Sequence, residues 1–360
     1  MKDSRIIFVL VMLCSSHAWA QDNQEQPVLQ TFRYEPGVLL QLDAHKADEG
    51  DGEINIRRAR LGLGIRDSEG SKKVKIVAKY ADDNALELHR AYLRASPHGY
   101  NLEIGGIGFD YGLQGSTSRY DLVAPARAMM FTKPYSYLKG ANIHKSFGLI
   151  GASSHYSQDE NNDHHYGLRI FTKVKADFAK IHFGLNTVGS NYKDAERVQV
   201  SNDPFDTDDS LLAYSDKATK DRNYITENAF VFESHVWQTE WQQRSLTVSE
   251  NRKLQISGGY TQWRYYYGDG NYKLSKKKGK ITLKQDSDSF GVEPFVRLES
   301  QTFSEALRAS REAVTAGVNF HTGEGEKISL ALGAVRSQDL TATGEGTNKT
   351  VLLRYGFDTP

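Results

Sequence analysis

Residues 54–66 read INIRRARLGLGIR, with Arg57, Arg58, Arg60 and Arg66 set among Ile, Leu, Ala and Gly. At a period of two, Arg58, Arg60, Gly62, Gly64 and Arg66 fall on one face, and Ala59, Leu61, Leu63 and Ile65 on the other. A strand sends successive side chains to opposite faces, whereas a helical period would scatter these arginines around the axis. The stretch therefore reads as a strand with one cationic and one apolar face.

The pattern recurs along the chain. In KVKIVAKY, Lys73, Lys75 and Lys79 oppose Val74, Ile76, Ala78 and Tyr80. In HRAYLRA, Arg90, Tyr92 and Arg94 oppose Ala91, Leu93 and Ala95, and in YGLRIFTKV, Arg169 and Lys173 oppose Leu168, Ile170 and Val174. KISLALGAV (327–335) and VLLRYGF (351–357) repeat it, with Lys327, Ser329 and Arg354 on the polar side. Segments of about ten residues, apolar on one face and separated by polar turns, are the mark of an antiparallel transmembrane β-barrel. Only closure satisfies every backbone hydrogen bond in lipid without helices. A soluble β-sandwich would bury larger side chains and mix acids with bases on its solvent faces. Fourteen or fifteen strand candidates can be picked out on this basis.

The rest of the chain fits an exported barrel. MKDSRIIFVLVMLCSSHAWAQ has a charged start, an apolar run from Ile6 to Leu13 and an Ala18-Trp19-Ala20 site, which predicts a signal peptide over 1–20. The single cysteine, Cys14, lies inside it, so no disulfide is expected. Residues 21–35 read as a periplasmic lead-in and 36–360 as the barrel. Mean hydropathy is −0.57, and no later stretch has the length of a spanning helix. Lys+Arg and Asp+Glu both number 45, so any charge bias must be local.

Connections are expected to be short at Asp67–Lys72 and Pro97–Tyr100 and long at Gln158–His164 and Asn191–Arg222. Between the strand ending near Gly106 and that starting near Ser146, alternation fails. This segment contains YGLQGSTSRYDLVAPARAMMFTKPYSYLKG. A loop of that length in a compact fold is usually functional, and in a barrel it would fold inward and narrow the lumen. The acidic stretches 158–165 and 203–209 lack calcium-loop spacing, and Lys276-Lys277-Lys278-Gly279-Lys280 reads as an exposed turn. Ser118, Asp121 and His144 have no nucleophile-elbow context. No enzyme activity, cofactor, metal site or nucleic-acid partner is expected.

Six motifs in order resemble the phosphate-selective porins O and P. They are Arg57-Arg58-Ala59-Arg60-Leu61-Gly62, Arg90-Ala91-Tyr92-Leu93, and Asp110-Tyr111-Gly112-Leu113 followed by Thr117-Ser118-Arg119-Tyr120. The others are Val236-Trp237-Gln238-Thr239-Glu240-Trp241, Tyr265-Tyr266-Tyr267-Gly268-Asp269 with Tyr272, and Ala316-Gly317-Val318-Asn319-Phe320. The resemblance implies sixteen strands, a homotrimer in the bacterial outer membrane, and passive diffusion of small anions, with phosphate as solute. It implies an anion path lined by Arg57, Arg58, Arg60, Arg66, Lys73, Lys75, Lys79, Arg90, Arg94, Arg169 and Lys173. The constriction loop would carry Thr117, Ser118, Arg119 and Tyr120. Strict alternation puts Arg57 on the apolar side, so it reaches the lumen only where the strand is irregular. Gln114-Gly115 stands where relatives commonly have Lys or Glu, and His89-Arg90 where an acid often precedes the Ala-Tyr pair. These departures keep a cationic channel and weaken the case for phosphate itself. A general diffusion channel without phosphate preference and a non-conducting structural or adhesive barrel remain as alternatives. Phe357 reads as the terminal aromatic of the last strand, followed by three further residues.

Overall fold

The computed structural model describes residues 32–47, 52–80, 86–108, 111–117, 122–124, 127–128, 138–159, 161–201, 211–249, 252–275, 279–285, 289–303, 309–323, 325–339 and 344–358. The expected signal peptide over 1–20 and most of the expected 21–35 lead-in lie outside them. The strands are β1 (Phe32–Ala47), β2 (Glu53–Asp67), β3 (Lys72–Tyr80), β4 (Leu86–Ala95), β5 (Tyr100–Ile107), β6 (Leu138–Phe147), β7 (Ile150–Gln158), β8 (His164–Lys175), β9 (Lys180–Ser201) and β10 (Leu211–Phe232). They continue as β11 (His235–Ser249), β12 (Arg252–Tyr265), β13 (Tyr267–Gly268), β14 (Gly270–Leu274), β15 (Ile281–Gln285), β16 (Gly291–Phe303), β17 (Ser310–Gly323), β18 (Glu326–Asp339) and β19 (Gly344–Asp358). Each wall strand pairs antiparallel with its neighbour, β12 and β13 together form one wall against β16, and β19 returns to pair with β1, giving a closed barrel of sixteen strands. β14 and β15 form a separate hairpin.

Alternation decides which side each residue faces. Ile76, Leu93 and Leu353 are 48–50% exposed on the outside, while Tyr92 and Arg354, one residue away, are 6% and 4% exposed on the inside. Phe147, Phe178, Phe232, Tyr267 and Phe290 stand exposed near the short-turn end, and Tyr80, Tyr156 and Tyr166 near the other. These are the aromatic bands that a lipid-facing barrel carries at its two interfaces. Across the closing seam, Asp43 lies opposite Arg354, whose Nε donates to Asp43 Oδ1 at 2.6 Å inside the wall. Phe357 pairs with the outward Leu40 one residue before β19 ends.

Local chemistry makes the turns. Between β2 and β3, Asp67 Oδ2 accepts from Ser71 Oγ at 2.6 Å and Oδ1 from the Lys72 amide at 2.9 Å, and Gly70 takes φ +70°. This side-chain mimicry of a backbone turn is what Asp supplies, and glycine bears the left-handed angle without steric cost.

Three expectations about connections need correcting. Within the stretch expected as a long loop, 191–201 and 211–222 are strand: β9 and β10 run 22 residues each and pair from Lys180↔Val231 to Ser201↔Leu211, and 202–210 lie outside the described residues. At about 3.3 Å per residue, roughly 70 Å of strand overshoots an apolar band about 25 Å tall, so this hairpin stands beyond the membrane. Its polar composition reflects a solvated ladder, which composition alone confuses with a loop. Gln158–His164 is compact, because Asp159 Oδ1 accepts the Asn161 and Asp163 amides at 2.9 Å and Asp163 accepts the Lys193 amide at 2.6 Å. β1 starts at Phe32, inside the segment expected to precede the barrel.

The register fixes Leu61 outward, opposite Val38 and Ala78. Leu61→Arg is expected to destabilise the barrel by roughly 2–4 kcal/mol, the cost of a charge near the bilayer midplane, read as an earlier urea midpoint on heat-modifiable gels. Leu61→Val should migrate as wild type. Unchanged folding of the Arg variant would reverse the facing of β2.

Candidate functional site

The described residues of the 108–137 connection lie inside the barrel and are held at two places on its wall. A short helix, α1 (Gly112–Gly115), opens it. Asn186 Oδ1 on β9 accepts the Gly112 amide at 3.1 Å. The Glu240 carboxylate on β11 accepts the Leu113 and Gln114 amides at 2.8 and 2.9 Å. Tyr260 also donates to Glu240, whose side chain is fully buried. The amides at a helix start have no intrahelical partner, so a side-chain carboxyl placed there satisfies two donors.

Further along, Asn319 Nδ2 on β17 donates to the Val123 carbonyl and Lys327 Nζ on β18 to the Leu122 carbonyl, both at 2.9 Å. Val123 and Ala124 pack against Phe295, Ala331 and Leu352. The segment also ties to itself. Arg127 donates to the Gln114 and Thr117 carbonyls at 3.2 Å, and Gln114 Oε1 accepts the Ala128 amide at 2.6 Å. Thr117 Oγ1 donates to the Leu113 carbonyl at 2.6 Å and so closes α1. Ser118, Arg119 and Tyr120 lie outside the described residues.

A second insertion was not foreseen from the sequence. The β14–β15 hairpin turns into the lumen from the short-turn end. Tyr272 is fully buried with Leu113, Ala229, Val231, Tyr266 and Ile281. Its hydroxyl donates to Glu293 Oε1 at 2.7 Å, its carbonyl accepts Lys180 Nζ at 3.0 Å, and Arg264 lies 4.7 Å over its ring. Gly279, expected at an exposed turn, is buried at φ +64°, where a Cβ would come within 2.8 Å of His182 and 3.0 Å of Phe171. Lys276–Lys278 lie outside the described residues.

These insertions occupy the sector walled by β8–β12 and β16–β19. On that side most arginines lie against carboxylates, Arg244 on Asp221, Arg264 on Glu293 and Arg297 on Glu299 among them. Glu227 and Glu240 face one another in register on β10 and β11. Arg169 meets Glu227 through two hydrogen bonds of 2.8 and 2.7 Å, and His182 adds a third at 2.8 Å. Arg169 is only 2% exposed. Its charge is thus neutralised within the wall, unlike an open lining cation. Lys173 sits 5.3 Å over the Phe171 ring.

Of the remaining strands, β1–β7, it is β2–β4 that carry the clustered cations. Arg58 and Arg60 lie opposite Gln41 and Leu39 on the inner face. The ladder slips at Arg57, between Gln41↔Arg58 and Leu42↔Ile56. This is a β-bulge, in which two residues oppose one and the extra side chain is re-aimed. It is the irregularity that Arg57 needs to reach the lumen beside Arg58. A second bulge falls at His89, between Val77↔Arg90 and Ala78↔Leu88. His89 there feels the fields of Arg60, Lys79, Arg90 and Arg58 together. Lys73, Lys75 and Lys79 follow along β3, and Tyr92 carries Arg90 and Arg94 over its ring at 4.4 and 5.6 Å. Glu35 partners Lys73 and, at 3.1 Å, Arg66, while Glu87 partners Lys79 at 2.9 Å and Glu103 partners Arg94 through Nε at 2.8 Å. Among the described residues of these strands, the cations outnumber these carboxylates. They are also half-open to the lumen, where Arg169 is sealed.

Glu240→Ala removes the acceptor of two amides, each such charged hydrogen bond being worth about 1.5–3 kcal/mol. It is expected to raise single-channel conductance and current noise while the barrel stays heat-modifiable. Conductance identical to wild type would mean that the loop keeps its place without this anchor.

The family model for phosphate-selective porin O and P matches residues 39–358. No curated protein matches in sequence. Among solved structures, the trimer form of in-vitro folded OmpT, an outer membrane protein of Vibrio cholerae, has a TM-score of 0.62 at 10% identity, covering 91% of this chain and 100% of that one. The anion-selective porin from Comamonas acidovorans has a TM-score of 0.59 at 10% identity, covering 91% and 100%. The outer membrane channel DcaP of Acinetobacter baumannii has 0.52 at 8%, covering 93% and 100%. At such identities these likenesses speak for the barrel fold, whereas the family model carries the assignment. The chain is a member of the phosphate-selective porin O and P family.

Proposed function

We propose that this porin is a passive anion channel of the bacterial outer membrane, whose solutes pass between the anchored loop and the cationic wall of β2–β4. The observation that carries the reading is the asymmetry of the lumen. Most arginines meet carboxylates where the loop and hairpin sit, whereas on β2–β4 the cations among the described residues clearly outnumber the carboxylates. Fixed positive charges in a narrow, low-dielectric passage lower the barrier for anions and raise it for cations. Export by the leader over 1–20 and assembly as a homotrimer belong to the same reading. The trimer form of the OmpT structure supports the latter.

Phosphate is the solute that the family's description suggests. One observation favours a broader anion preference. The side chain of Gln114, at the position where relatives commonly carry Lys or Glu, turns back to the Ala128 amide. It adds no charge to the passage. A non-conducting structural barrel is separated from both by any measurable single-channel current.

Two unit charges about 4 Å apart interact by about 1 kcal/mol in bulk water and about 4 kcal/mol at an effective dielectric near 20. A tenfold ratio needs only about 1.4 kcal/mol. The Arg58→Glu/Arg60→Glu double variant should therefore move the reversal potential in a KCl gradient toward cation preference. The shift should be larger at about 0.1 M than at about 1 M salt, because the Debye length falls from about 10 to 3 Å. Leu63→Val should leave the potential unchanged. A well-assembled double variant that keeps wild-type anion preference at low salt removes these arginines from the conduction path. Currents in phosphate and chloride gradients then separate a phosphate preference from a general anionic one.

A further inference from the structure

The outer surface of β17–β19 and β1 carries a groove of about 470 Å³. Its floor follows from the register. One outward row reads Ala316, Leu332, Val351, Lys46 across the four strands, and the adjacent row reads Val314, Ala334, Lys349. Ala316 and Ala334 stop short beside the larger Leu332, Val314 and Val351, which leaves the depression. Lys46 and Lys349 are diagonal neighbours at its edge, both exposed on the lipid side.

Outward lysines are costly in a lipid-facing wall, roughly 2–4 kcal/mol at the midplane and about 0–1 near the interfaces. Their height fits an interface. Lys46 is the penultimate residue of β1, at the end away from the short turns, where the longer loops and the β9–β10 overhang lie. The next outward row pairs Glu312 directly with Arg336, so that cation has an opposite charge beside it. Among the described residues, Lys46 and Lys349 face no carboxylate in either register row. Two neighbouring cations above an apolar groove, at the height of lipid headgroups, complement an anionic lipid. Its acyl chain fills the groove and its phosphate sits on the lysines.

We propose that this groove is a binding site for a phosphate-bearing acylated lipid of the outer leaflet, of the lipid A type. The site needs the lipid-embedded barrel but not the anion path inside it, so it stands or falls separately from the conduction reading.

The test is native mass spectrometry of the full protein released from detergent micelles, with bis-phosphorylated lipid A or dioleoyl phosphatidylcholine as probe. Wild type should retain lipid A in preference to the zwitterionic lipid. Lys46→Gln/Lys349→Gln should lower lipid A retention by about tenfold, the order expected for two lysines at an anionic headgroup, and leave phosphatidylcholine unaffected. Ala334→Trp, which fills the groove with both lysines kept, should lower it as well. Heat-modifiable migration of each variant confirms that it is folded. Equal lipid A retention by wild type and the lysine variant overturns the proposal. So does a change in oligomer mass with lipid retention unchanged, which would assign the groove to a second copy of the chain.

Discussion

Glu240 faces Glu227 across adjacent strands, and two carboxylates placed so closely inside a barrel wall repel. The conflict is resolved differently for each. Glu227 takes Arg169 and His182. Glu240 takes the first amides of a loop that comes from a distant part of the sequence. An unpaired buried carboxylate is far more costly than a bonded one, so the loop start and the wall need each other. Asn186 links the two halves, since it accepts the Gly112 amide and donates to Glu227. Asn319 and Lys327 then fix the far stretch of the segment. A segment held at 112–114 and again at 122–123 can narrow a lumen reproducibly, where one held at a single point would move.

The position of the loop gives the cations of β2–β4 their meaning. Polar inner faces are common to all water-filled barrels. Here the arginines held by carboxylates are gathered on the side already filled, and the strands with the larger excess of cations lie on the side that the insertions leave. The bulge on β2 sharpens the contrast, because it breaks the alternation that would set Arg57 against Arg58. Gly62 and Gly64 between the arginines of β2 oppose Gly37 and Glu35. The absence of a side chain at Gly64 leaves room for Glu35 and Lys73, which close over it.

The period-two pattern made the barrel legible, because each strand is read by its own alternation and needs no partner to be known. INIRRARLGLGIR and HRAYLRA were assigned to the faces that the register gives them, save at the two bulges. A bulge leaves no mark in composition, although the strict alternation did single out Arg57 as the residue that would need one. The roles of Glu240, Asn319 and Tyr272 were not legible. Each sat inside a motif that carries the family resemblance, yet what they bind is remote in sequence: Leu113 and Gln114 for Glu240, Val123 for Asn319, and Glu293 for Tyr272. Such contacts are properties of closure and cannot be read from a window of neighbours. The β14–β15 hairpin was missed for the same reason, since KKKGK has the composition of a solvated turn. Arg169 looked like the other basic residues because its partner Glu227 lies on a strand two removed.

The central claim is that water and anions run along β3 between the cations and the anchored loop. The sequence has one cysteine, Cys14 in the expected leader, so a single engineered thiol reports its own surroundings. The most direct measurement is the rate at which Lys75→Cys, in channels held in planar bilayers, reacts with small anionic and cationic methanethiosulfonates of similar size. The account predicts that both reagents reduce the current, that the anionic one reacts faster, and that the difference shrinks in high salt. A thiol at residue 75 that reacts with neither reagent, or reacts faster with the cationic one at low salt, would contradict it.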